Sequence, residues 1–138
     1  MAALTASLEV IEKDGVRLKS PMAVDVIYRG AMVVYNTAGY LAPASTAAGV
    51  VFAGVSELEV DNSGGSAGDL LCPHKTEGVY LLTGASLAQT DVGVQVYASD
   101  DQTITKTSSN NAPVGKIVKF VSATQVWVKL DRNPAAAS

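Results

Sequence analysis

The chain has one cysteine, Cys72, one histidine, His74, and one tryptophan, Trp127, and each scarcity narrows what it can do. A single thiol cannot form an intrachain disulfide, so the fold must be held by burial and no oxidising compartment is implied. One cysteine and one histidine cannot supply the four nitrogen or sulfur ligands of a structural zinc site. Charge is also sparse: charged residues make up 17% of the chain, and the ten Lys and Arg are scattered without a basic run. Clustered cations displace counterions from a phosphate backbone, so no direct nucleic-acid partner is expected. No apolar run approaches the ~20 residues needed to span a bilayer, and no membrane partner is expected. The opening stretch lacks a basic region followed by an unbroken apolar segment, so no secretory leader is expected there.

What the sequence does contain is a series of short apolar segments, each closed by Gly, Asp, Asn or Pro. At 138 residues and 48% hydrophobic, it suits one domain with one real core. Val16-Arg17-Leu18-Lys19 and Gln125-Val126-Trp127-Val128-Lys129-Leu130 alternate in the strand period, one face apolar and one polar. Val, Ile, Thr and Tyr dominate further segments near 24–28, 31–35, 40–42, 50–60, 69–72, 79–82, 94–97, 103–107 and 114–121. The fold class expected is all-β: a small antiparallel β-barrel or sandwich with short hairpins, an N-terminal arm and at most one short helical turn. That turn is placed at 86–91, with Ser86 capping and Gly93 ending it.

The expected organisation is an arm or hairpin over residues 1–20, a barrel domain over 21–132 and a frayed tail over 133–138. Tight turns are expected at Asp14-Gly15, at 36–39 and at 99–102, and a mobile polar loop at 61–68. Two segments look alike. Gly30 to Tyr35, a turn, and then Phe52-Ala53-Gly54-Val55 are echoed by Gly93 to Tyr97, a turn, and then Pro113-Val114-Gly115-Lys116. The spacing is 62 residues from Tyr35 to Tyr97 and 61 from Gly54 to Gly115, as a duplicated three-strand unit closing into a barrel would give.

Candidate chemistry is thin. Gly64-Gly65-Ser66-Ala67-Gly68 fits the pattern of a serine-hydrolase elbow, but no amphipathic helix follows it, and the only histidine lies eight residues on. Cys72 and His74 stand two apart, on one side of an extended chain, with no further Cys or His to complete a metal set. Asp61-Asn62-Ser63-Gly64 lacks the alternating oxygens and closing Glu of a calcium loop. No catalytic, cofactor-binding or metal residue is therefore assigned; no cofactor is expected and the chain is read as a non-enzyme. Trp127 is expected to anchor either the core or an interface. The apolar Leu4, Leu8, Val10 and Ile11 near the N-terminus are the other interface candidates.

The order Gly-Ala-Met-Val-Val-Tyr at 30–35, Phe52-Ala53-Gly54-Val55, Glu77 to Leu82, Ala88 to Tyr97, Pro113 to Val118 and Val126 to Leu130 resembles the small β-barrel cement, or decoration, proteins of tailed-bacteriophage capsids. The resemblance covers roughly residues 24–132. It implies a structural virion protein on the outer capsid surface, made in the host bacterial cytoplasm. It also implies that the major capsid protein is the partner, and a homotrimer that stabilises the lattice. Other readings are a head-fibre base, a tail-associated barrel or a carbohydrate-binding module.

Overall fold

Strands form where β-branched residues gather between turn residues. The computed structural model describes residues 6, 16–131 and 133–138. Leu4, Leu8, Val10, Ile11 and the Asp14-Gly15 turn lie outside the described residues. The strands are β1 (Arg17–Pro21), β2 (Val26–Ile27), β3 (Met32–Tyr35), β4 (Leu41–Pro43), β5 (Val51–Ser56), β6 (Val60–Asp61), β7 (Leu71–Lys75), β8 (Val79–Thr83), β9 (Gln95–Ala98), β10 (Ile104–Thr105), β11 (Ala112–Ser122) and β12 (Gln125–Leu130). Among the described residues the helical content is one 3-10 turn, Gln89–Asp91. Its start is held by Asp91, whose Oδ2 accepts the Ala88 N–H at 2.9 Å, not by Ser86. No helix among the described residues is long and apolar enough to cross a membrane.

The 36–39 turn forms as expected. Asn36 Oδ1 accepts the N–H groups of Ala38 and Tyr40 at 3.0 and 2.9 Å, and Gly39 takes a φ of +86°. Asp100 does the same in the second turn, accepting the Gln102 N–H at 2.9 Å.

The barrel does not close. The strands form two five-stranded antiparallel sheets, β1-β7-β5-β3-β4 and β10-β9-β11-β12-β8, with a separate ribbon of β2 and β6. Taken in chain order, the five strands of each sheet lie in one spatial order: first, fifth, fourth, second, third. The duplication read from the sequence is therefore larger than three strands and includes the whole sheet. Smaller details repeat too. The end of the first strand meets the third in each half through a parallel bridge, Met22 to Leu41 and Thr83 to Thr103.

The paired glycines explain themselves at this point. A Cβ on Gly54 would lie 1.8 Å from the Lys75 carbonyl oxygen, and one on Gly115 would lie 1.9 Å from that of Lys129. In both halves, fourth and fifth strands approach so closely that only glycine fits.

The two sheets differ in how they are covered. Met32, Val34, Phe52 and Val55 of the first sheet pack with Val96, Val114, Val126 and Val128 of the second. The alternate residues Val33, Leu41, Ala53 and Cys72 point the other way, into a second cluster closed by Met22, Ile27 and Val60 from the ribbon and its flanks. The layers are thus ribbon, first sheet, second sheet, with the outer face of the second sheet uncovered.

Two segments are firmer than expected. Ala137 is buried, its N–H donates to Val50 O at 2.8 Å, and Ser138 O accepts the Asn110 N–H at 2.8 Å, so the tail is tied to the body, not frayed. The 61–68 loop is pinned by the buried Asn62, whose amide donates to Ala23 O at 3.2 Å and to Ser66 O at 3.0 Å. The expected boundary at residue 20 falls inside β1, which pairs along its length with β7.

Replacing Gly54 or Gly115 by Ala should cost roughly 2–4 kcal/mol each, since backbone must move. Gly64→Ala, with no atom within 4 Å of the added Cβ, should change stability by less than about 0.5 kcal/mol. Urea unfolding of the three variants measures this.

Candidate functional site

Two places carry polar or aromatic groups in unusual arrangements, one buried and one open. The buried one lies between the first sheet and the ribbon. Register places Ser20 opposite Cys72 and Ser56 opposite His74, so four side chains with chemical potential share one face. His74 Nδ1 is 2.8 Å from the Ala53 carbonyl oxygen, which can only accept, so this nitrogen carries the proton. Nε2 is then bare and accepts the Ser20 hydroxyl at 2.8 Å. The Tyr35 ring stands edge-on to the imidazole, with 6.0 Å between ring centroids.

A serine donating to a histidine is the first contact of a hydrolytic triad. Here the third position is held by a neutral carbonyl, which cannot stabilise an imidazolium as a carboxylate does. His74 and Cys72 are fully buried and Ser20 nearly so. Burial pushes the imidazole below its usual 6.5, against the opposing pull of the Ala53 bond and of Glu57. It also pushes the Cys72 thiol up, so the sulfur stays protonated, 3.4 Å from Ser56 Oγ. Among the described residues every buried side-chain nitrogen and oxygen has a partner. The cluster works as an internal fastener between the β1, β5 and β7 strands.

The sequence motifs resolve in the same direction. Ser66 sits in the exposed loop with its N–H given to Asp69 Oδ2 at 2.8 Å, and the next element is the strand β7, not a helix. Cys72 and His74 do share a side as expected, but that side is interior, beyond the reach of a second copy. No group of three or more His, Cys, Asp or Glu among the described residues is placed to hold a metal ion. The Ser20–His74 contact, spanning 54 residues, was not legible in the sequence, because only strand register brings the two together.

The open place is the outer face of the second sheet. Val126, Val128 and Leu130 fill the core, which turns Trp127 outward, partly exposed. Its neighbours across the strands are Lys119 on β11 and Leu81 on β8. One step along, Lys116 faces Lys129 directly. Like charges directly opposite one another destabilise a sheet, and no ion pair within 4 Å relieves these among the described residues. The Asp131 carboxylate, just past β12, accepts the Asn133 N–H at 3.0 Å. Val79, Leu81, Val118 and Val121 are each at least 42% exposed on or beside this face. The strands β8, β9, β11 and β12 hold three lysines and no acid. A sugar platform would want a second ring beside Trp127, and its cross-strand neighbours are Lys119 and Leu81 instead.

At the far side of the stack, the ribbon and its loops carry the opposite character. Asp25, Glu59, Asp61 and Asp69 are exposed there, with Glu57 partly so and tied to Arg17 at 2.8 Å. Val24, Tyr28, Leu58 and Leu70 stand among them, each at least 42% exposed. Bonds from the Ser63 hydroxyl and N–H hold the Asp61 carboxyl below the usual range, so it stays ionised.

A scan of protein-family profiles and searches of curated proteins and of solved structures find no match to this chain.

The buried histidine has a pH signature. Its folded value lies below the 6.5 of the free group, so the unfolded chain takes up the proton first as pH falls. The contribution of neutral His74 is complete above about 6.5 and declines as pH drops from there toward the folded value. Urea midpoints at pH 7.5 and pH 5 should differ in that direction, and His74→Gln should flatten the difference.

Proposed function

We propose that this chain is a cement protein of a tailed-bacteriophage head, binding the outer surface of the shell as a homotrimer and stapling neighbouring major capsid protein subunits, without catalysis. The observation that carries this reading is the layered body with two unlike outer sides, each holding exposed apolar side chains among charges of one prevailing sign. The ribbon side presents acids among the exposed Tyr28 and Leu58, whereas the second sheet presents Trp127, Leu81 and three lysines that join no ion pair among the described residues.

Such a body suits lattice binding. A rigid partner loses little conformational freedom on docking, so more of each contact survives as affinity. Repetition then multiplies modest contacts into avidity, which relieves any single face of the need for high affinity. The polar groups most suggestive of chemistry are enclosed and mutually satisfied, which also favours a structural role. The sequence resemblance to capsid cement proteins points the same way.

The purified chain should co-sediment with expanded heads and raise the temperature at which they release DNA. A chain that binds no shell at any protein ratio overturns the proposal. Removal of residues 1–11 should leave the unfolding midpoint of the body nearly unchanged and reduce head occupancy at least several-fold. Unchanged occupancy would remove the N-terminal apolar residues from the contact.

A further inference from the structure

The internal duplication says what belongs on the open face. In the first half, the core-side residues Met32, Val34, Phe52 and Val55 sit against the second sheet. Strand register makes the match: Val33 pairs with Gly54 and Met32 with Val55 in the first half, Val96 with Gly115 and Gln95 with Lys116 in the second, so the open face of the second sheet corresponds to the covered face of the first. Within one chain, then, this face of one half is seated against the next half. The second half has no successor in its own chain.

Its natural successor is a second copy. We infer that the Trp127 face of one copy packs against the acidic ribbon side of the next, a head-to-tail contact between unlike surfaces. The match is chemical as well as topological. Lys116, Lys119 and Lys129 surround Trp127 and Leu81 on one side. Asp25, Glu59, Asp61 and Asp69 are exposed on the ribbon and its loops, with Tyr28 and Leu58 in the same segments and Arg29 the one exposed cation beside them. No ion pair joins the two sets within a copy among the described residues. Bringing them together relieves the Lys116–Lys129 repulsion and removes the exposed indole from water. Charges of opposite sign steer the encounter and fix its register, while the apolar centre supplies most of the affinity.

An interface between unlike surfaces closes into a ring or runs on as a filament, and it never self-limits at a twofold dimer. Faces squarely opposed across the stack give an open run of copies; the proposed trimer satisfies every such face by inclining the two to one another. The inference deepens the trimer proposed above and does not need the shell to exist.

Sedimentation equilibrium of the full chain tests it, with three variants: Lys116→Glu/Lys129→Glu, Asp25→Lys/Glu59→Lys, and the two combined. Reversal of either face should weaken association at least tenfold, and the combined reversal should restore it to within a few-fold of the parent. Raised salt should weaken the parent, since rim charges are screened. Thermal melts establish that each variant is folded. Trp127 is the chain's one tryptophan, so acrylamide quenching reads this face directly. Quenching should fall at least twofold from dilute monomer to assembled protein.

A chain that stays monomeric at every concentration overturns the inference. So does association indifferent to both reversals, or an indole equally quenched in monomer and oligomer. If single reversals abolish head binding and leave the oligomer intact, this face belongs to the coat protein and the inference fails while the cement role stands. If the oligomer behaves as expected and no shell is bound, the cement role fails alone.

Discussion

The residues of β3 are buried on both sides of the strand: Met32 and Val34 toward one cluster, Val33 toward the other. A sheet apolar on both faces must be covered twice, because either face left in water would forgo the burial that holds it. That requirement orders the molecule. The ribbon of β2 and β6 exists to cover one face, and the second sheet covers the other. The second sheet, apolar on one face and mixed on the other, ends the stack.

The asymmetry is informative because the halves share one topology. The same strand order, the same parallel bridge and the same glycine under a lysine carbonyl occur in both. Two connections differ: that between first and second strands, which holds β2 in the first half and the 3-10 turn in the second, and that between fourth and fifth. In the first half the latter runs through residues 57–70 and includes β6; in the second it is the short turn between β11 and β12. The longer connection brings the ribbon's second strand and the Asn62 anchor. The two connections together build the ribbon and carry its acids, Asp25 in the first and Glu59, Asp61 and Asp69 in the second, while the other side keeps its lysines and its indole.

Much of this was legible beforehand, for physical reasons that can be named. Alternation placed β1 and β12, and Asn36 and Asp100 marked turns because their side chains cap nearby backbone N–H groups. The Gly54 and Gly115 spacing exposed the duplication, since a close strand crossing tolerates no side chain. The sandwich as against a closed barrel was not legible, because alternation reports that a face is buried and not what buries it. Trp127 as an outward residue followed from its buried neighbours only once the core side was known. The short, small-residue C-terminal tail reads as loose, yet Ala137 is small enough to enter the core beside Val50. The Ser20–His74–Ala53 cluster depends on three strands meeting, which no local pattern encodes.

The proposed stack continues from one copy to the next through the open sheet face. A particle map of purified phage heads with this chain located on them tests it most directly. Density is expected on the outer surface in rings of three, with Trp127 of each copy against Tyr28 and Asp61 of its neighbour. A map in which the Trp127 face looks into solvent, or in which copies bind singly, would contradict it.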